Sequence, residues 1–100
     1  MADIFVGDTP ILERVITDQD GAIVDVSTAS LKQIILGRPN GGGSLTKTAT
    51  FTTNGVDGKI RYQIVSELDV PGIWQWEGYV EIGIQKYHTD FLEFEVKEHL

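Results

Sequence analysis

From Gly72 to Ile84 the chain reads GIWQWEGYVEIGI, alternating apolar and polar side chains without a break. Side chains on a β-strand point to opposite faces with a period of two, so this run predicts one long half-buried strand. Trp74, Trp76, Val80, Ile82 and Ile84 share one parity, and Gln75, Glu77, Tyr79 and Glu81 share the other. Both tryptophans of the chain therefore fall on the face turned to a core. Burying each ring removes roughly 150–250 Å² from water. At about 25 cal/mol per Å² that is on the order of 4–6 kcal/mol apiece, an upper bound. Net domain stability is only about 5–15 kcal/mol, so the rings are explained by the fold alone.

A single long strand needs partners, and the composition supplies them. Valine, isoleucine and threonine account for 29 residues against 4 alanines. β-Branched side chains lose rotamer freedom in a helix and pack well on a pleated surface, which predicts an all-β chain. At 100 residues it is one small domain, large enough for a core without disulfides, and it has no cysteine. The net charge of −7 opposes binding to nucleic acid or an anionic membrane, since both need clustered cations. Arg14, Lys32, Arg38, Lys47, Lys59, Arg61, Lys86 and Lys97 are scattered. No apolar run approaches a membrane span. The start, MADIFV, is not a secretory signal, which fits a protein kept in the cytoplasm or a virion part released by lysis.

Turn signals recur at short intervals. Asp18–Gly21, Pro39–Ser44, Asn54–Gly58 and Asp69–Gly72 each combine glycine with Asp, Asn or Pro, the residues that accept turn geometry. Between them the pattern predicts strands near residues 11–17, 22–26, 31–36, 46–53, 59–65, 73–84 and 87–96. Ile60, Tyr62 and Ile64 oppose Lys59, Arg61 and Gln63; Leu92, Phe94 and Val96 oppose Glu93, Glu95 and Lys97. The strands at 11–17 and 31–36 are apolar at both parities, as expected of a central strand or of one whose outer face meets a partner. About seven short strands point to an immunoglobulin-like antiparallel β-sandwich over residues 11–97, preceded by an extended arm at 1–10.

No constellation announces chemistry. His88 and His99 are the only histidines, and no HxH, HExxH or CxxC spacing exists. Asp18, Asp20 and Asp25 lack the closing glutamate and further ligands of a calcium loop, and read as a polar hairpin turn. Gly41–Gly43 opens no helix and has no correctly spaced lysine, so it reads as a loop tip rather than a phosphate cradle. Glu93 and Glu95 could mimic a glycosidase pair, but adjacent acids on one outer strand face are commonplace. No cofactor, metal or catalytic residue is expected. Aromatic stacking on sugar needs exposed rings, and Tyr79, Tyr87 and Phe91 are the candidates.

The segment VITDQDGAIVDV (Val15–Val26), Ala29, IILGRPNG (Ile34–Gly41), ATFTTNGVDGKIRY (Ala49–Tyr62), the turn from Leu68 to Gly72, Trp74 and the strand Phe91–Val96 together resemble a domain of bacteriophage virion proteins. The chain is similar over residues 7–97 to the immunoglobulin-like N-terminal domain of phage baseplate upper proteins and related small tail and neck components. The resemblance rests on turn and core residues and carries no catalytic motif. In baseplate upper proteins the domain precedes a longer region that holds receptor-binding proteins, and this chain stops at Leu100. The resemblance thus implies a general structural role in the virion, with other phage structural proteins or further copies of itself as partners. Candidate contacts are Ile4, Phe5 and Val6 of the arm, the two-faced strands, the glycine loop, and Tyr79, Tyr87 and Phe91. The alternative expectation is a host-surface carbohydrate-binding module using those three rings.

Overall fold

The computed structural model describes residues 4–98. Among these residues the architecture is all-β and sandwich-like: two sheets turn their apolar faces toward one core, with one 3-10 turn at Pro39–Gly41. Nine strand segments occur among the described residues: β1 (Ile4–Phe5), β2 (Ile11–Val15), β3 (Leu31–Gly37), β4 (Ser44–Thr48), β5 (Thr50–Phe51), β6 (Lys59–Gln63), β7 (Gly72–Ile82), β8 (Gln85–His88) and β9 (Leu92–Lys97). The larger sheet has the order β1-β9-β7-β3-β4, with β8 also paired to β7, and the smaller one has the order β2-β6-β5. All pairs are antiparallel except β1 with β9.

The tryptophan strand is the spine of the larger sheet. Trp74 and Val80 are fully buried and Trp76 is nearly so, as the alternation predicts. The strand ends two residues sooner than expected, however. Gly83 adopts φ +61 and forms a two-residue hairpin turn with Ile84, which leaves Ile84 97% exposed instead of in the core. Each tryptophan is covered by an arginine: the guanidinium of Arg38 lies 5.7 Å from the Trp74 ring centroid and that of Arg14 lies 5.6 Å from Trp76. Arg38 is held in place by a paired contact to Asp69 (2.9 and 3.3 Å), and the Trp74 indole N–H donates to the Val70 carbonyl.

Of the two-faced strands, β3 is central, flanked by β7 and β4, which accounts for its apolar outer positions. β2 is instead an edge strand: Leu12 is buried while Ile11 is 51% exposed on the opposite face. The clean alternation at β6 holds, with Ile60 and Ile64 buried and Tyr62 packed on the core.

Three other expected strands are altered. Residues 22–26 make only an isolated bridge between Thr17 and Ile23. There the Asp18 carboxylate accepts from the N–H groups of Asp20 and Ala22, and Asp25 accepts from Ser27, so local side-chain bonds displace a ladder. The stretch 46–53 divides between the two sheets at Ala49, whose N–H donates to the Lys32 carbonyl and whose small side chain is buried at the crossing. The stretch 87–96 starts earlier, at Gln85, and is interrupted. Tyr79 pairs with His88 but Trp76 with Leu92, so a step of three on β7 faces a step of four opposite. That one extra residue is a β-bulge at Thr89–Phe91. Thr89 stitches it: its N–H donates to the Gly78 carbonyl, and its hydroxyl accepts from the Gly78 N–H at 2.8 Å.

Two loops show why their sequences are glycine-rich. Asn40 (φ 59) and Gly41 (φ 72) are the central residues of the turn closed by the bond from the Gly42 N–H to the Pro39 carbonyl. At Gly55 (φ +86) an added Cβ would lie 2.8 Å from the Phe51 ring and 2.9 Å from the Ser27 Cα, so only glycine fits.

Among the described residues one charged side chain, that of Glu67, is buried. Glu67 accepts from the Tyr62 hydroxyl and from the N–H groups of Val65 (2.8 Å) and Ser66 (3.0 Å), and the Lys47 ammonium approaches to 3.5 Å. Tyr62 belongs to the smaller sheet and Lys47 to the larger, so this carboxylate ties the turn at 64–68 to both.

Candidate functional site

The bulge decides which aromatic side chains are available. If the strand at 87–96 were uninterrupted, Tyr87 would share the outer parity of Glu93. The extra residue reverses this: Tyr87 lies opposite Val80 and packs against the core, while His88 lies opposite Tyr79 on the outer face. The Tyr79 and His88 rings are 4.5 Å apart at 42°. Tyr79 is only half-exposed, and its hydroxyl donates to Glu81 at 2.5 Å. That bond, with some desolvation and the nearby negative charge, raises its pKa. Phe91, at the bulge, is 65% exposed. The three candidate rings are thus distributed over the inner face, the outer face and the bulge, and do not form one platform.

The arm residues lie at the opposite end of the sheet. Ile4 and Phe5 form β1, pairing in parallel with Val96 and Lys97, and Ile4 and Val6 pack on the core. Phe5 donates its N–H to the Asp8 carboxylate. His99 lies outside the described residues, as do the first three residues of the expected arm.

Between the two sheets, on the flank formed by β2 and β8, runs a groove of about 690 Å³. One lip is Arg14, Val15 and Thr17–Asp20; the other is Lys86–Asp90. Its volume is in the range of small-ligand sites, but unlike theirs its lining is mainly polar. Arg14 crosses it, donating to the Asp90 carbonyl at 3.0 Å. The strand part of each lip leaves alternate main-chain groups open, while Asp18, Asp20, Thr89 and Asp90 are bonded within the fold. The Ile64 N–H donates to Pro10 and the Ile16 N–H to Gly58, so the even-numbered residues of β2 face β6, and the main-chain groups of Ile11, Glu13 and Val15 face outward. On the larger sheet, the Ser30 N–H donates to the Glu81 carbonyl, so Glu81 spends its groups on the β3 side. By alternation its partner Lys86, and His88 two residues on, turn their N–H and C=O groups to the open edge.

Of the candidate residues expected from sequence, Tyr87 lines this groove; the groove itself was not expected, because its lips come from segments about seventy residues apart whose polarity reads as two ordinary turns. Asp18, Asp20 and Lys86 gave no motif to find. Asp18 and Asp25 are occupied as turn formers, and Glu93 accepts from Gln75 on the outer face. Among the described residues no group of three or more His, Asp or Glu is placed to hold a metal ion. No helix among them is long and apolar enough to cross a membrane. In comparisons with known proteins, no family model matches the sequence and no curated protein matches it either.

Proposed function

We propose that this chain is a non-enzymatic structural module of a bacteriophage virion, an immunoglobulin-like sandwich that joins tail, neck, baseplate or capsid components through protein contact. The observation that carries the reading is the flank where two strand edges of different sheets lie open beside one groove, since unpaired main-chain groups are a template for another chain. Phe91 and Leu92, 65% and 44% exposed, add apolar area beside it. The resemblance of Val15–Val26 and Ala49–Tyr62 to phage virion domains supplies the setting. In a symmetric particle, repetition multiplies a weak contact into a lasting one. Mass spectrometry of purified particles tests this: stoichiometric copies of the chain are expected, and its absence from particles that form in its presence refutes the reading.

A second reading, a glycan-binding module on the host-facing surface, is favoured by one feature: Tyr87 lines the groove together with Asp18, Gln19 and Asp20. A glycan array with the full chain separates the two, because sugar binding lost in Tyr87→Ala supports this reading and a blank array removes it.

A further inference from the structure

We infer that β4 pairs with β4 of a second copy of this chain, antiparallel about a two-fold axis at Thr46. The inference concerns a different edge from the flank described above and does not depend on the virion setting. The Arg38 N–H donates to the Gly43 carbonyl and the Ala49 N–H to the Lys32 carbonyl, so Leu45 and Lys47 spend their main-chain groups on β3. By alternation the main-chain groups of Ser44, Thr46 and Thr48 face the open edge. Their side chains share the exposed outer face, and their hydroxyls make no hydrogen bond among the described residues. A strand paired antiparallel with its own copy sets each residue opposite the one equally far from the centre. Thr46 then meets Thr46 of the second copy and Ser44 meets Thr48, so the outward main-chain groups all find partners and hydroxyl faces hydroxyl. On the inner face, half-buried Leu45 meets Lys47 of the second copy, whose aliphatic stem covers it. An unanswered charge pointing inward would guard such an edge, but Lys47 is answered within its own chain by Glu67 at 3.5 Å.

The other edges among the described residues offer too little or oppose a copy. β1 and β5 have two residues each, and β8 has four and ends at the bulge. Pairing β2 with itself about its centre sets Glu13 against Glu13, a like-charge contact. β4 has five residues, three of them Ser or Thr on the outer face, with no proline, glycine or carboxylate. The net charge of −7 repels a second copy, but from a distance that salt screens. One short strand buries little area, so the dimer is weak and depends on concentration.

Sedimentation equilibrium and NMR of the full chain over a concentration series test this. A monomer–dimer equilibrium that tightens with added salt is expected, with the Ser44, Thr46 and Thr48 amides shifting as the dimer forms. Thr46→Lys and Thr46→Glu each set like charges at the axis, and each is expected to weaken the dimer at least tenfold while the monomer stays folded. Mixing the two variants sets opposite charges there and is expected to restore the dimer. A chain that stays monomeric at its highest soluble concentration, a dimer whose shifts fall on another edge, or variants that fail to restore one another would each overturn the inference. A monomeric chain found in particles would leave the assembly reading standing, and a β4 dimer of a chain absent from particles would do the reverse.

Discussion

Glu67 shows how a single side chain can set the acid limit of the fold. Burial alone would raise its pKa, but the Tyr62 hydroxyl and the N–H groups of Val65 and Ser66 hold it down to about 2. The bond to Glu67, with desolvation and its charge, pushes Tyr62 up to about 12. As pH falls, the unfolded chain takes up the proton first, near its ordinary value of 4.5, so stability is fully present above that pH and declines towards about 2. The amount at stake is on the order of 3 kcal/mol. Urea unfolding between pH 6 and 2 should show this decline, and Glu67→Gln should remove most of it; equal slopes in both proteins would contradict the assignment. At alkaline pH the sign is opposite: the Tyr62 contribution persists below 10 and is lost between 10 and 12. Gly55→Ala combines a left-handed backbone with contact against Phe51 and the Ser27 backbone, and should destabilise by about 2–4 kcal/mol in the same assay. The Asn54–Gly55 pair is legible in sequence as a turn. The role of Glu67 is not, because its partners come from β4, β6 and the turn itself.

At the scale of the element, alternation located β6, β7 and β9 and their core faces, since each buries one face and exposes the other. It failed where a strand changes sheet or register. Ala49 carries β4 into β5 without any Gly, Pro, Asn or Asp to mark the change, and the bulge at Thr89–Phe91 leaves the apolar pattern on both sides intact while reversing the face of Tyr87. Thr89→Val keeps the shape of the side chain but strands the buried Gly78 N–H, and should cost about 1–3 kcal/mol with faster exchange of the Gly78 amide. Unchanged exchange at Gly78 would show that the hydroxyl is not its partner in solution. A variant in which the bulge relaxed would also turn Tyr87 outward, detectable as a rise in its solvent accessibility.

For the molecule as a whole, what matters is which edges are left open. Among the described residues, the N-terminal β1 covers β9 at Val96 and Lys97, whereas the flank of β2 and β8 is bridged by the bond from Arg14 to Asp90. Arg14→Ala removes a charge-assisted bond to the Asp90 carbonyl and the cover over Trp76. It should lower stability by about 1–3 kcal/mol and raise hydrogen exchange along both lips, with thermal unfolding and exchange mass spectrometry as the measurements. Exchange raised uniformly instead would place Arg14 in the general core. The sequence by itself determined the all-β class, the burial of Trp74 and Trp76, the main turns and the lack of a recognisable catalytic motif, because periodicity and turn chemistry are local and each residue reports its own preference. Only the tertiary structure decided that Tyr87 faces inward, that residues 22–26 form no strand, that Glu67 joins both sheets, and that Lys86 and Asp18 line one groove. These depend on register and on contacts between distant segments, and a one-residue bulge changes them without leaving any mark in the alternation that precedes it.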